Sequence, residues 1–200
     1  MIIARVLTAA ALATAFAVTT ASAQQPQAVP VIGQIQGVDG NLLVVKTQAG
    51  EQKVALANNV VVWGLAKASV SDVTKGAFIG VGATPQADGS QKAIRVIIFA
   101  EAMRGNGEGH RPWTRPNTTM TNATVDTTVS GVDGQNIMVK YRDGEKKIII
   151  GPDAVIRQYV AGDKSELKPG AHVGINATKQ PDGSLQTARV NVGRGDVIPD

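Results

Sequence analysis

The densest group of chemically capable side chains lies in residues 101–121. Arg104, Glu108, His110, Arg111, Trp113 and Arg115 fall within twelve positions there, among glycines at 105, 107 and 109 and prolines at 112 and 116. The planar fork of a guanidinium grips carboxylate or phosphate oxygens. An indole offers an apolar body with one polar tip, suited to anchoring a loop or a ligand. These six are the candidate ligand-binding residues. A segment that only tethers would be Gly/Ser- or Pro-rich with little else, and connections in compact domains run to about 4–6 residues. Residues 101–121 are therefore expected either to pin themselves to a neighbouring domain through Trp113 or to form a recognition surface around it, folded across the groove between two domains.

Sharper chemistries fare less well. Glu108 and His110 could begin a metal site, which makes a metal-binding protein the alternative reading. The chain has no Cys and only two His, however, so remote carboxylates would have to complete the ligand set. A Ser-His-Asp hydrolase, the third reading, would need His110 or His172 as base, and no Gly-x-Ser-x-Gly elbow presents a nucleophile. The run Gly105-Asn106-Gly107-Glu108-Gly109 lacks the spacing and the strand-to-helix setting of a dinucleotide loop. Nucleic acid needs exposed aromatics over a basic groove. Two Trp, two Tyr and three Phe with a formal net charge of +4 make a weak case for that. The expectation is a non-enzymatic protein with no cofactor, no catalytic residues and no nucleic-acid partner.

The first 23 residues read as an address. Arg5 precedes an apolar, Ala-rich run from Val6 to about Val18, and Ala21-Ser22-Ala23 supplies the small residues of a signal-peptidase site. The run is shorter than the ~20 residues of a membrane span, and no later stretch is long enough for one. Residues 1–23 are expected to be a cleaved signal peptide, leaving a periplasmic or secreted chain without a membrane span.

The remainder is one unit written twice. Shifted by 94 residues, Gly37–Val96 lies on Gly131–Val190 without a gap, with 22 identities in 60 positions. Most shared residues are Gly, Asp, Ala, Ser and Val. Asp39-Gly40, repeated as Asp133-Gly134, sits between alternating apolar runs and signals a hairpin; Asp88-Gly89 and Asp182-Gly183 signal another. Between the turns the apolar period is two, the mark of strands with one buried face. Leu43 and Val45 match Ile137 and Val139; Ile79, Val81 and Ala83 match Val173, Ile175 and Ala177; Ile94 and Val96 match Ala188 and Val190; Val31 and Ile35 match Val125 and Val129. Short helical turns are expected at Ser69–Lys75 and Asp163–Lys168. Arg95 and Arg189 should point into solvent, and the Arg194-Gly195-Asp196 end should fray.

The expected fold is all-β: two tandem OB-like barrels of five to six strands at 28–100 and 122–194, the inter-repeat segment at 101–121, and a tail at 195–200. Small open sheets expose risky edges, which closure removes. A disulfide-free unit of about 70 residues is marginal alone, so the barrels should pack together or exchange a strand.

Gly33-x-x-x-x-Val38-Asp39-Gly40, the run from Ser71 through Asp72, Val73 and Gly76 to Val81, and Asp88-Gly89-Ser90-x-x-Ala93 resemble a family of exported bacterial proteins, the domain of unknown function numbered 5666. Both copies carry the likeness, and the second departs from it at Glu166 and Thr187. The resemblance implies small extracytoplasmic β-barrels and supplies no catalytic residues. The expected function is binding in the bacterial cell envelope, with a small molecule, a polysaccharide or another envelope protein as partner.

Overall fold

A computed structural model describes residues 27–131 and 134–199; the expected leader and the Asp133 turn lie outside them. Among the described residues the structure is all-β. The first copy supplies β1 (Ala28–Asp39), β2 (Leu42–Thr47), β3 (Gly50–Lys67), β4 (Phe78–Pro85) and β5 (Gln91–Ile98). The linking segment holds β6 (Gly109–Pro112). The second copy supplies β7 (Thr119–Gly131), β8 (Gly134–Tyr141), β9 (Gly144–Ile150), β10 (Val155–Ala161), β11 (His172–Lys179) and β12 (Leu185–Gly193). β9 and β10 are the counterpart of the single long β3, interrupted where Gly151-Pro152-Asp153 stands; Pro152 has no N–H to continue a ladder.

The pairing of these strands differs from tandem order. Strands β1, β2 and β3 close into a five-stranded barrel with β11 and β12 of the other copy, through the β1–β11 and β12–β3 pairings. Reciprocally, β7, β8 and β9 of the second copy pair in a ring with β4 and β5 of the first, through β4–β7 and a short β5–β9 contact. The copies have exchanged their last two strands. The boundaries 28–100 and 122–194 thus delimit repeats and not folded units. One core holds Val31, Ile35, Leu43 and Val45 with Val173, Ile175 and Val190. The other holds Ile79, Val81 and Val96 with Ala123, Ile137, Val139 and Ile148. Each buries apolar surface that neither repeat supplies alone, which answers the thin stability margin of a ~70-residue unit.

The rings are joined where the end of β3 pairs antiparallel with β10, Leu65 opposite Tyr159, while β10 also pairs parallel with β5. Leu65 and Tyr159 are each other's counterparts 94 residues apart, so a pseudo-twofold axis passes through that pair.

Local expectations fare unevenly. The helical turns are single 3-10 turns at Val70–Asp72 and Lys164–Glu166, each stabilised by a capping box, Ser69 with Asp72 and Asp163 with Glu166. Asp88 and Asp182 cap their turns by accepting from the backbone N–H of Ser90 and Ser184. Ile94 and Ala188 leave the buried face: each is the skipped residue of a bulge, so that Ala93 and Thr187 point inward instead. Val129 is also corrected. A skip at Asp126 reverses the alternation beyond Val125 and leaves Val129 64% exposed, whereas Ile35 precedes the bulge of β1 and is buried. Nor is the C-terminal end frayed. Val197 is buried, Arg157 donates to the Ile198 carbonyl, and Asp196 pairs with Lys67. Val197 is the counterpart of Met103, which is also buried and lies beside Arg189 of β12.

Candidate functional site

On the second ring, Ile79, Val81 and Ala83 of β4, Val96 of β5 and Ala123 of β7 face the core. Alternation then turns Gly80 and Gly82, Arg95 and Ile97, and Met120 and Asn122 outward. The two glycines leave bare backbone on which aromatic rings can lie. A methyl group at Gly82 would come within 2.6 Å of the Trp113 indole, and one at Gly80 within 3.0 Å of the Phe99 ring.

Trp113 is brought there by β6, which pairs with β7 so that His110 lies opposite Thr121 and Arg111 opposite Met120. The Trp113 N–H donates to the Thr118 carbonyl and closes the connecting loop. The guanidinium groups of Arg95 and Arg115 lie 4.9 and 5.2 Å from the indole centroid. At a partly exposed site such contacts contribute roughly 0.5–1 kcal/mol each. Next to the indole runs an aromatic row, Phe78 to Phe99 at 5.4 Å and Phe99 to Tyr159 at 5.8 Å, with Arg189 5.3 Å over Tyr159. Arg95 and Arg189, expected in solvent, thus both pack on aromatic faces. A cleft of about 180 Å³ opens between Gly80, Arg95, Phe99, Arg111, Asn122 and Tyr159, beside the joint between the rings.

The six residues singled out from the sequence divide into three groups. Arg111, Trp113 and Arg115 share the outer face with Arg95. Arg104 is a clamp: it grips the Glu101 carboxylate with two N–H groups, donates to the Gly76 carbonyl and lies over Phe78. Glu108 and His110 face away from the cleft. The Glu108 carboxylate accepts from the Arg142 N–H at 3.0 Å. The His110 Nδ1 is 2.8 Å from the Thr121 hydroxyl, and its ring stacks on Tyr141. Among the described residues, no three His, Asp or Glu side chains gather closely enough to hold a metal ion. His172 lies on β11, in the other ring.

Burial and, secondarily, Lys146 push the His110 imidazole below its ordinary value of about 6.5. The unfolded chain therefore binds this proton more readily than the folded one, and stability falls as pH drops below that value. The expected result is a melting temperature that declines from pH 7 to 5.5, with a flatter decline in His110→Gln. The hydrogen-bonded carboxylates Asp72, Asp88, Asp163 and Asp182 are all shifted downward, so they stay charged across that window. An unchanged slope in the variant overturns the assignment.

Sequence reasoning missed Gly80, Gly82, Arg95, Phe99, Asn122 and Tyr159. One signal was available: glycine alternating with Ile79, Val81 and Ala83 marks a strand whose outer face another group approaches closely. Comparison with protein-family models, curated proteins and solved structures returns no match. No helix among the described residues is long and apolar enough to cross a membrane.

Proposed function

We propose that this chain is an exported, non-enzymatic binding protein of the bacterial cell envelope, with both rings OB-like and its recognition surface on the outer face of the second. The observation that carries the reading is the placement of the unrepeated segment. It crosses that face as a paired strand and sets Trp113 between two arginines at the rim of a cleft. Packing alone would be served by covering Gly82 with an apolar side chain, whereas this arrangement leaves Arg111 exposed beside a void. Charged and aromatic groups together at a concave surface are the usual composition of a binding site. The leader-like residues 1–23 support the export part of this reading. A hydrolase is disfavoured because His110 Nδ1 bonds a hydroxyl, where a triad histidine would bond a carboxylate.

The test presents the immobilised mature chain with envelope polysaccharide fragments, small acidic metabolites and envelope proteins. Arg111→Ala and Trp113→Ala are run beside wild type. The expected result is capture by wild type, lost in both variants, with melting temperature lowered by only a few degrees. Trp113→Ala loses two cation–π contacts, about 1–2 kcal/mol, Arg111→Ala loses one exposed hydrogen bond to the Gly107 carbonyl, and each kcal/mol moves a chain of this size by roughly 2–4 °C. Variants that unfold outright, or a wild type that retains nothing, overturn the proposal.

A further inference from the structure

The first ring has a groove where the second holds β6. Backbone pairing fixes the correspondence. Ile35 exchanges hydrogen bonds with Gly170 and Ala171, and Val125 does the same with Gly76 and Ala77, their counterparts in the first copy. In the pairing Val125 therefore stands where Ile35 stands, although Val129 matches Ile35 in sequence, and residues 29–32 of β1 take the places of residues 119–122 of β7. Those of β7 hold β4 on one edge and β6 on the other. β6 also rests on the turn after β8, where His110 stacks on Tyr141 and Glu108 accepts from the Arg142 N–H. Residues 29–32 of β1 hold β11 on one edge, and among the described residues no strand pairs with the other. A groove of about 460 Å³ runs there, lined by Pro30, Ile32, Thr47, Gln48, Ala49 and Gln52. Thr47 and Gln48 are the counterparts of Tyr141 and Arg142.

Gln27 and Ile35 turn their backbone groups to β11 and the loop before it, so alternation turns those of Ala28, Pro30 and Ile32 into the groove. Pro30 offers a carbonyl but no N–H, which blunts the edge against open-ended pairing. Ile32, 41% exposed, offers both groups. No charged residue lines this groove, whereas the place of β6 has Lys146 near His110 and the Arg142 N–H holding Glu108. Residues 113–118 carry β6 to β7. The same reach upstream of β1 falls on residues 19–22, inside the expected leader, so the mature chain leaves the groove to a strand from elsewhere.

We infer that this groove is a second binding site, which takes a neutral, extended segment of another polypeptide as an added strand. The segment runs antiparallel to β1, as β6 does to β7. Its residue opposite Ile32 exchanges backbone hydrogen bonds with Ile32, and its residue opposite Pro30 donates to the Pro30 carbonyl. The residue between them turns an apolar side chain toward Thr47 and Gln52, as His110 turns toward Tyr141. The site is independent of the recognition surface on the second ring.

The probe is the capped peptide Thr-Val-Thr-Val-Thr, titrated into the mature chain and followed by backbone amide resonances. Saturable binding is expected, with shifts centred on Ile32 and slower hydrogen exchange of its N–H. Methylating the threonine nitrogens removes the donors that face β1 and should weaken binding by about tenfold or more. Methylating the valine nitrogens, which face away, should leave it unchanged. Both changes are made in the peptide, so the fold of the protein is untouched. Replacing the valines by lysines should abolish binding. No saturable binding, shifts away from Ile32, or the same response to both methylated peptides overturns the inference. A peptide of residues 108–113 that binds more tightly identifies a second copy of this chain as the occupant and overturns the assignment to another polypeptide.

Discussion

Cut between Arg115 and Pro116, the two halves of residues 27–199 are expected to show no cooperative melting as separate monomers and to recover the intact fold when mixed in equal amounts. Residues 27–115 contain three strands of the first ring and two of the second, and residues 116–199 contain the complement. Neither half can close a ring in the observed arrangement. Each core would lose the partners that bury it: Val31, Leu43 and Val45 without Val173, Ile175 and Val190, and Ile137, Val139 and Ile148 without Ile79, Val81 and Val96. The cut falls in an exposed loop and breaks no strand. Because the copies are alike, a half can also pair with itself. Any cooperative species it forms alone is then a dimer whose melting depends on concentration. Circular dichroism melts with analytical ultracentrifugation check both points. A monomeric half that melts as sharply and as high as the whole would falsify the exchange.

Gly33→Ala is expected to destabilise the protein by about 3 kcal/mol, a value at the severe end for added core volume, and to lower the melting temperature by roughly 6–12 °C. A methyl group there would stand 2.1 Å from the Lys46 carbonyl oxygen and 3.1 Å from Val45. The obstacle is the backbone of β2, a strand held by β1 on one side and β3 on the other in a closed barrel, so it cannot step aside. The control lies four residues along the same strand. Gly37 has nothing within 4 Å of the same methyl position, and Gly37→Ala should be neutral or stabilising by a few tenths of a kcal/mol through its stiffer unfolded chain. Equal effects at both positions would remove the explanation. The counterpart of Gly33 in the second copy is Thr127, which carries a Cβ because it follows the skipped Asp126.

Much of the site was legible by residue type and little of it by partner. Arg111, Trp113 and Arg115 stood out because they interrupt a duplication with side chains that bind ligands. Arg104 looked the same in sequence and turned out to be a clamp, since its role depends on Glu101 and on the Gly76 carbonyl, which the sheet brings to it. Asn122, Arg95 and Tyr159 sit in ordinary strands, and only the topology gathers three strands distant in sequence around one cleft.

The amino-acid sequence alone determined the duplication, the all-β character, the Asp-Gly turns and most of the inward faces. All of these arise from interactions within a few residues: glycine's tolerance of turns, an aspartate capping the N–H two positions on, a side-chain period of two. The bulges at Asp126, Ile94 and Ala188 were decided by the neighbouring strands, because a skip exists only relative to a partner. The exchange of strands was likewise decided in three dimensions. The inner faces of β4 and β11, Ile79-Val81-Ala83 and Val173-Ile175-Ala177, match so closely that either could line either ring. No local pattern distinguishes them, and the choice falls to the long β3, whose far end pairs with β10 and joins the two rings.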